Sequence, residues 1–197
     1  ANSVCRNQYV LDMSRSDVQD HIYHQMVAVI EQTGLNYIKW DMNRHLSEVY
    51  SSAFPYDQQG EIAHRYMLGV YALMSRITSR YPEILFESCS GGGGRFDLGI
   101  LAYMPQVWTS DNSDAVARLK IQYGTSLMVP TNAMGAHVSA VPNHQTGRKT
   151  PLASRAAVAF YGAFGYELDF TKLTKSEQSE IKDQVAFYKR HRALFQQ

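Results

Sequence analysis

Two aspartates, Asp41 and Asp111, each follow a short strand-like run and could act together as catalytic carboxylates. Paired carboxylates hydrolyse glycosidic bonds, with retention when they lie about 5–5.5 Å apart and inversion when they lie about 6.5–9.5 Å apart. In the retaining reaction, Asp41 would attack the anomeric carbon, while Asp111 would protonate the leaving oxygen and later deprotonate a water molecule. The residue types therefore permit a double displacement on a sugar.

Neighbouring side chains favour these roles, although each aspartate also has a structural interpretation. Lys39 and Asp41 are two residues apart, so both side chains project from one face of a strand, where an ammonium group keeps a carboxylate ionised. Trp108 precedes Asp111, and partial burial beside its ring would favour the protonated form that an acid catalyst needs. The alternatives are a structural ion pair at Asp41 and an Asx-turn or helix cap at Asp111.

Four consecutive glycines, at 91–94, follow another strand-like run and suggest a close approach of the backbone to a ligand. A neutral sugar suits this loop better than a phosphate, because the Gly-Lys-Ser/Thr ending of a nucleotide P-loop is absent. A flexible turn is the structural alternative. Cys89, just before the loop, has no histidine near it in sequence, so an inert thiol is favoured over a catalytic one.

Six strand-like runs, each followed by a helical pattern, would position these groups. The runs lie at 9–13, 36–41, 84–89, 106–110, 127–130 and 165–170. This alternation predicts an α/β fold with a parallel sheet. A (β/α)8 TIM barrel takes about 250 residues, so 197 residues correspond to about six of its units. The doubly wound sheet is the alternative. Barrels place their chemistry where strands end, as at Asp41 and Asp111.

Helix starts are also predicted from capping residues. Ser16 with Gln19, and Thr174 with Glu177, have the spacing of capping boxes. Asp114 is a candidate N-cap for the helix that follows Asp111. These signals fix where three helices should begin.

Composition excludes several classes of protein. The net charge of +1 gives no reason to expect nucleic acid or a membrane surface as a partner. No apolar run reaches the roughly 18 residues that a membrane span needs, and the N-terminus has no signal-peptide pattern. Cys5 and Cys89 form no disulfide framework, and no Cys/His cluster has zinc-ligand spacing. A cytoplasmic enzyme without a metal fits these observations.

Several motifs, in order along the chain, resemble those of glycoside hydrolase family thirty-six α-galactosidases. The run at 37–44 resembles the nucleophile motif of that family, 89–93 its glycine-rich loop, and 108–112 its acid/base motif. The runs at 134–145 and 165–169 are family-like as well. The resemblance extends over nearly the whole chain.

The resemblance implies a (β/α)8 catalytic domain that hydrolyses terminal α-linked galactose from melibiose- and raffinose-type oligosaccharides through a covalent galactosyl-enzyme. It implies that Asp41 is the nucleophile and Asp111 the acid/base, with no metal and no organic cofactor. The residues implied to shape the galactose subsite are Arg6, Lys39, Trp40, Met42, Asn43, Cys89, Gly91, Gly92 and Trp108. Many members are cytoplasmic homotetramers, so the intact protein is expected to be a homo-oligomer.

One departure from the family is its length, because members are several times longer than 197 residues. The resemblance then makes 1–197 the C-terminal three-quarters of the barrel, about strands three to eight, without the flanking β-domains. We expect this segment alone to be inactive. Alternative functions are a galactosyl transferase of raffinose-type synthesis, an α-N-acetylgalactosaminidase, a non-catalytic carbohydrate-binding barrel and a phosphate-binding barrel enzyme.

Overall fold

The computed structural model describes residues 4, 7–92 and 94–196, in which helices alternate with parallel strands. The elements are α1 (Ser16–Thr33), β1 (Tyr37–Asp41), α2 (Ile62–Arg80), β2 (Leu85–Cys89), β3 (Gln106–Val107), α3 (Ala115–Ser126), β4 (Gly135–Ser139), α4 (Leu152–Ala159), β5 (Ala163–Glu167) and α5 (Lys175–Phe195). They form two compact units, one of residues 1–90 and 97–105, the other of residues 91–96 and 106–197. The α/β class is confirmed.

The first unit is built on the parallel pair β1 and β2. The register runs from Tyr37 opposite Leu85 to Asp41 opposite Cys89, so the carboxyl ends of both strands reach the same edge. On α2, five apolar side chains form a stripe, and all five are buried. They are Ile62, Tyr66, Val70, Met74 and Ile77. Their spacing of three and four residues places them on one helix face.

Gly69 lets α2 pack closely against the segment that leads into α1. A Cβ atom at Gly69 would lie 1.7 Å from the Met13 carbonyl oxygen and 2.7 Å from Gln19 Nε2. That carbonyl already accepts a hydrogen bond from Gln19 Nε2 at 2.9 Å. The Gln19 side chain is thus committed to this packing contact, where the sequence predicted a role in a capping box.

Replacing Gly69 by alanine should therefore destabilise the protein by about 1–3 kcal/mol, because backbone atoms would have to move apart. Gly124→Ala is the matched control, since its added Cβ meets nothing within 4 Å and alanine favours the helix. The measurement is the midpoint of thermal unfolding of the full-length protein that carries each change. Equal midpoints for the two variants would contradict this account of the packing.

The second unit is built on the parallel pair β4 and β5, in register from Gly135 opposite Ala163 to Ser139 opposite Glu167. A parallel bridge joins Val107, in β3, to Met134, just before β4. A buried cluster covers this sheet and consists of Ala136, Val138, Leu152, Ala156, Ala159 and Ile181. The cluster packs α4 and α5 onto β4.

Two predicted strands are wrong. Residues 9–13 form no strand, and Tyr9 and Leu11 expose their side chains. Residues 127–130 follow α3 directly, and the side chains of Leu127 and Met128 are 70% and 69% exposed. The strand forms instead at Gly135–Ser139. A four-residue apolar run does not identify a strand by itself. Five strands, rather than six, are therefore present in the ranges that the structure describes.

The third correction concerns 106–110, of which only Gln106–Val107 is strand. The residues that follow bond to side chains of α3 and of the loop after β4 rather than to a neighbouring strand. Among the caps, Thr174 forms its capping box with Glu177, and Asp114 accepts a hydrogen bond from the backbone of α3. Ser16 is the first helical residue and not a cap.

No helix within residues 4, 7–92 and 94–196 is both long and apolar enough to cross a membrane.

Candidate active site

In the first unit, the residues around Asp41 converge because β1 and β2 end at the same edge. Asp41 is exposed and accepts a hydrogen bond from Asn43 Nδ2 at 2.6 Å. Beyond the strand, the Met42 amide donates to the Cys89 carbonyl at 3.1 Å, and Ser90 Oγ donates to the Met42 carbonyl at 2.7 Å. The backbone just after Asp41 is therefore tied to Cys89 and Ser90, while Asp41 itself is exposed.

Lys39 forms an ion pair that the sequence did not predict. Its ammonium lies 3.3 Å from Oε1 of Glu87, which stands opposite it in the β1–β2 register and is 1% exposed. The Tyr37 hydroxyl donates a hydrogen bond to the other oxygen of Glu87. Burial, followed by this bond to Glu87, raises the pKa of Tyr37. Glu87 thus anchors Tyr37 and Lys39, the two residues that share a face of β1 with Asp41.

The first unit brings together most of the predicted subsite residues: Lys39, Trp40, Met42, Asn43 and Cys89. Trp40 projects to the face of β1 opposite that of Asp41, because strand side chains alternate, and Cys89 is buried. Arg6 lies outside the described residues. The remaining predicted residues belong to the second unit.

In the second unit, side chains hold the backbone on both sides of Asp111. The carbonyl of Ser110 accepts from Arg118 Nη2 at 2.5 Å, and that of Asn112 accepts from Arg118 Nε at 2.9 Å. Gln145 donates its amide to the carbonyl of Asp111 itself. Three consecutive carbonyls are therefore occupied by side-chain donors, while the Asp111 side chain is exposed. The loop presents its carboxylate to solvent on a fixed backbone.

Trp108 is 5% exposed and packs inside the second unit. Its ring stacks on His137, with centroids 4.6 Å apart at 29°. The Arg118 guanidinium carbon lies 4.1 Å from the centre of the same ring. Burial lowers the pKa of Arg118 to about 10, against the opposing charges of Glu167 and Asp111, so the guanidinium stays protonated at neutral pH. A permanent cation is thus buried beneath the loop that carries Asp111.

The glycine loop contacts this same loop directly. Gly92 has a φ of +85°, and a Cβ atom there would lie 2.6 Å from Ser110 Cα and 2.9 Å from the Asp111 nitrogen. Gly91 also has a positive φ, of 56°. The glycines were predicted to let the backbone approach a ligand, and in the structure the backbone that Gly92 approaches is that of the Asp111 loop.

Given the acid/base role that the resemblance implies for Asp111, Gly92→Ala should lower kcat by about 100-fold, because the added methyl group would displace the backbone that carries Asp111. The control is Gly34→Ala, which has a similar φ of +64° but meets nothing within 4 Å. Gly34→Ala should cost about 1 kcal/mol of stability and leave kcat near that of the parent. Steady-state kinetics of both variants in the full-length protein would test this. Similar kcat values would refute a role for the Gly92 contact.

Glu87, Arg118 and Gln145 support the site but were not predicted to do so from the sequence. Gln145 lies in the family-like run at 134–145, which gave a partial signal. Glu87 gave another, as a charge inside an apolar strand, where it is costly unless paired. Arg118 gave almost none, since an arginine in an amphipathic helix is ordinary. Within the described part of the chain, no three His, Cys, Asp or Glu side chains are placed to hold a metal ion.

The melibiase family model matches residues 1–197, and the chain belongs to the melibiase family. Among curated relatives, it is 64% identical to α-galactosidase AgaA of Geobacillus stearothermophilus over 97% of this chain and 26% of the relative. It is 55% identical to α-galactosidase Mel36A of Lactobacillus acidophilus, again over 97% of this chain and 26% of the relative. The resemblance to glycoside hydrolase family thirty-six is thereby confirmed.

Solved structures agree with this assignment. The crystal structure of GH36 α-galactosidase AgaA matches with a TM-score of 0.97 and 63% identity, over 100% of this chain and 27% of that one. A variant of AgaA in complex with raffinose matches with the same TM-score at 62% identity, over 100% of this chain and 27% of that one. This chain spans about a quarter of the length of these relatives.

Proposed function

We propose that the protein carrying this chain is a retaining α-galactosidase, which releases terminal α-linked galactose from raffinose- and melibiose-type oligosaccharides. The observation that carries the proposal is 64% identity to an α-galactosidase over 97% of the chain, a range that includes the Asp41 and Asp111 motifs. Variants of that relative are known in complex with raffinose and with stachyose, both at a TM-score of 0.97 to this chain. These ligands indicate the substrate class.

In the proposed reaction, a carboxylate oxygen of Asp41 attacks the anomeric carbon of galactose, and the bond to the leaving oxygen breaks. Asp111 gives its proton to that oxygen, and a covalent galactosyl-enzyme results. Asp111, now ionised, takes a proton from water, whose oxygen attacks the same carbon and releases Asp41. Two inversions give net retention. No metal and no organic cofactor take part.

The local geometry supports each role separately. Asp41 is exposed at the end of β1 and accepts a hydrogen bond from Asn43. A nucleophile needs both access to the substrate and a fixed orientation, and these two features provide them. Asp111 is exposed on a backbone whose carbonyls are fixed by Arg118 and Gln145. For the galactose subsite we retain Arg6, Lys39, Trp40, Met42, Asn43, Cys89, Gly91, Gly92 and Trp108 as proposed contacts.

The proposal extends to architecture and setting. We infer that 1–197 form about strands three to eight of a (β/α)8 barrel in a longer, cytoplasmic protein that assembles as a homo-oligomer. The parallel pairs β1–β2 and β4–β5 and the alternation of strands and helices support the barrel. The coverage of about a quarter of each relative supports the greater length.

The test is to follow raffinose cleavage by the full-length protein by NMR. We expect sucrose and galactose, with the α-anomer of galactose appearing first because the reaction retains configuration. First release of β-galactose would refute the double displacement, and no cleavage would refute the hydrolase. In a second assay with melibiose as the galactosyl donor and sucrose in excess, raffinose rather than free galactose as the main galactose-containing product would favour the transferase. Residues 1–197 tested alone should show no turnover.

A further inference from the structure

Arg118, on α3, is buried, with 2% of its surface exposed, and it binds the loop around Asp111 on both sides. Before Asp111, its Nη1 donates to Thr109 Oγ1 at 2.8 Å, and its Nη2 donates to the Ser110 carbonyl at 2.5 Å. After Asp111, its Nε donates to the Asn112 carbonyl at 2.9 Å. One side chain therefore bridges the two ends of the segment that carries the carboxylate.

The shape of the guanidinium group matters for this contact. Its donors lie in one plane and point in fixed directions, whereas a lysine ammonium is a point charge on a flexible stem. The plane itself is held against Trp108, whose ring centre lies 4.1 Å from the guanidinium carbon. Both the direction of the hydrogen bonds and the plane of the group are thus determined.

We propose that Arg118 is a positioning residue for proton transfer by Asp111, because its planar fork fixes the backbone from which the Asp111 carboxylate projects. The inference rests on the proposed role of Asp111 as the acid/base. Arg118 also carries a positive charge, which interacts with the negative charges of Glu167 and Asp111. Arg118→Lys keeps the positive charge but loses the planar fork. A role through geometry therefore predicts a loss of activity in this variant, whereas a role through charge alone predicts activity close to that of the parent.

The experiment uses the full-length protein with a series of aryl α-galactosides whose phenol leaving groups differ in pKa, plus raffinose. A poor leaving group needs its proton from the enzyme, whereas a dinitrophenolate leaves without one. For both Arg118→Lys and Arg118→Gln, we expect kcat/KM to fall about 100-fold with raffinose and less than about tenfold with the dinitrophenyl substrate. The dependence on leaving group should therefore become steeper than in the parent.

Arg155→Gln is the matched control. Arg155 is also buried in the second unit and also donates to backbone carbonyls, those of Thr150 and Ser139, but not to the loop at 108–112. Loss of the Arg155 side chain should lower the stability of the protein, but kcat/KM should depend on the pKa of the leaving group no more steeply than in the parent. Thr109→Val is a milder variant for use if the Arg118 variants do not fold, because it removes one acceptor of an Arg118 hydrogen bond. It should lower kcat/KM with raffinose about tenfold and steepen the dependence on leaving group in the same way.

Three outcomes would overturn the proposal: an equal loss across all leaving groups, wild-type activity in Arg118→Lys, or an unchanged pattern in Thr109→Val. Asp111→Ala, measured in parallel, separates this inference from the proposed function. A steeper dependence in Asp111→Ala but not in the Arg118 variants would refute the positioning role alone. No change of pattern in Asp111→Ala would refute the role of Asp111 itself, and the inference with it.

Discussion

Asp41→Ala should reduce hydrolysis of raffinose by the full-length protein by about 10⁴-fold or more, because no covalent intermediate can form without the carboxylate. Removal of the side chain also leaves room beside the anomeric carbon. Added azide should occupy that room and attack the carbon once, displacing the leaving group. The product should be β-galactosyl azide, in which the configuration is inverted.

The control for this prediction is Asp57→Ala, an equivalent change at an exposed aspartate of the same unit. It should leave the hydrolysis rate close to that of the parent protein. The product of the azide reaction is identified by NMR from the anomeric coupling constant. Full activity in Asp41→Ala, or α-galactosyl azide as its product, would show that the nucleophile is a different residue.

Asp111→Ala should have the second largest effect, a loss of about 10²–10⁴-fold on raffinose, since proton transfer contributes that much to such reactions. Dinitrophenyl α-galactoside should still form the galactosyl-enzyme rapidly, and breakdown of that intermediate should become slow because no base activates water. Azide needs no base, so it should restore turnover. After two displacements, the product should be α-galactosyl azide, with configuration retained.

Asp114→Asn is the control in the same loop. Asp114 caps α3 and pairs with Arg148, and asparagine can still cap the helix while losing the ion pair. It should change stability slightly and leave the preference among leaving groups unaltered. Opposite azide anomers from Asp41→Ala and Asp111→Ala would assign the two roles, whereas the same anomer from both would contradict the assignment.

Local sequence patterns predicted the parts of the fold that repeat regularly. The strand at 36–41 was predicted nearly to the residue, since β1 is Tyr37–Asp41. Regular spacing also marks α2, whose five buried side chains lie three and four residues apart. The prediction at 127–130 failed because three apolar residues followed by a proline are compatible with either a strand or an exposed turn. The residues just after it, with weaker apolar character, form the Thr131–Ala133 turn and then β4.

The residues of the candidate site also differ in how far the sequence predicted them. The aspartates and glycines could be identified because they lie within short contiguous motifs. Their supports could not, because they are distant in sequence. Glu87 lies 50 residues from the Tyr37 hydroxyl that it binds, and Gln145 lies 34 residues from Asp111. Such pairs depend on strand register and loop path, which no local pattern encodes.

The contact between Gly92 and the backbone of Ser110 and Asp111 also constrains how the proposed α-galactosidase could be redesigned. A library that enlarges side chains in the glycine loop to alter sugar selectivity would at the same time shift Asp111, the proposed proton donor, and we expect most of its members to be inactive. Positions 92 and 110 are therefore best varied jointly, with changes in the glycine loop paired to compensating changes in the loop that it touches. On the proposed assignment of Asp111, mutations in the glycine loop would change selectivity and turnover together through this backbone contact.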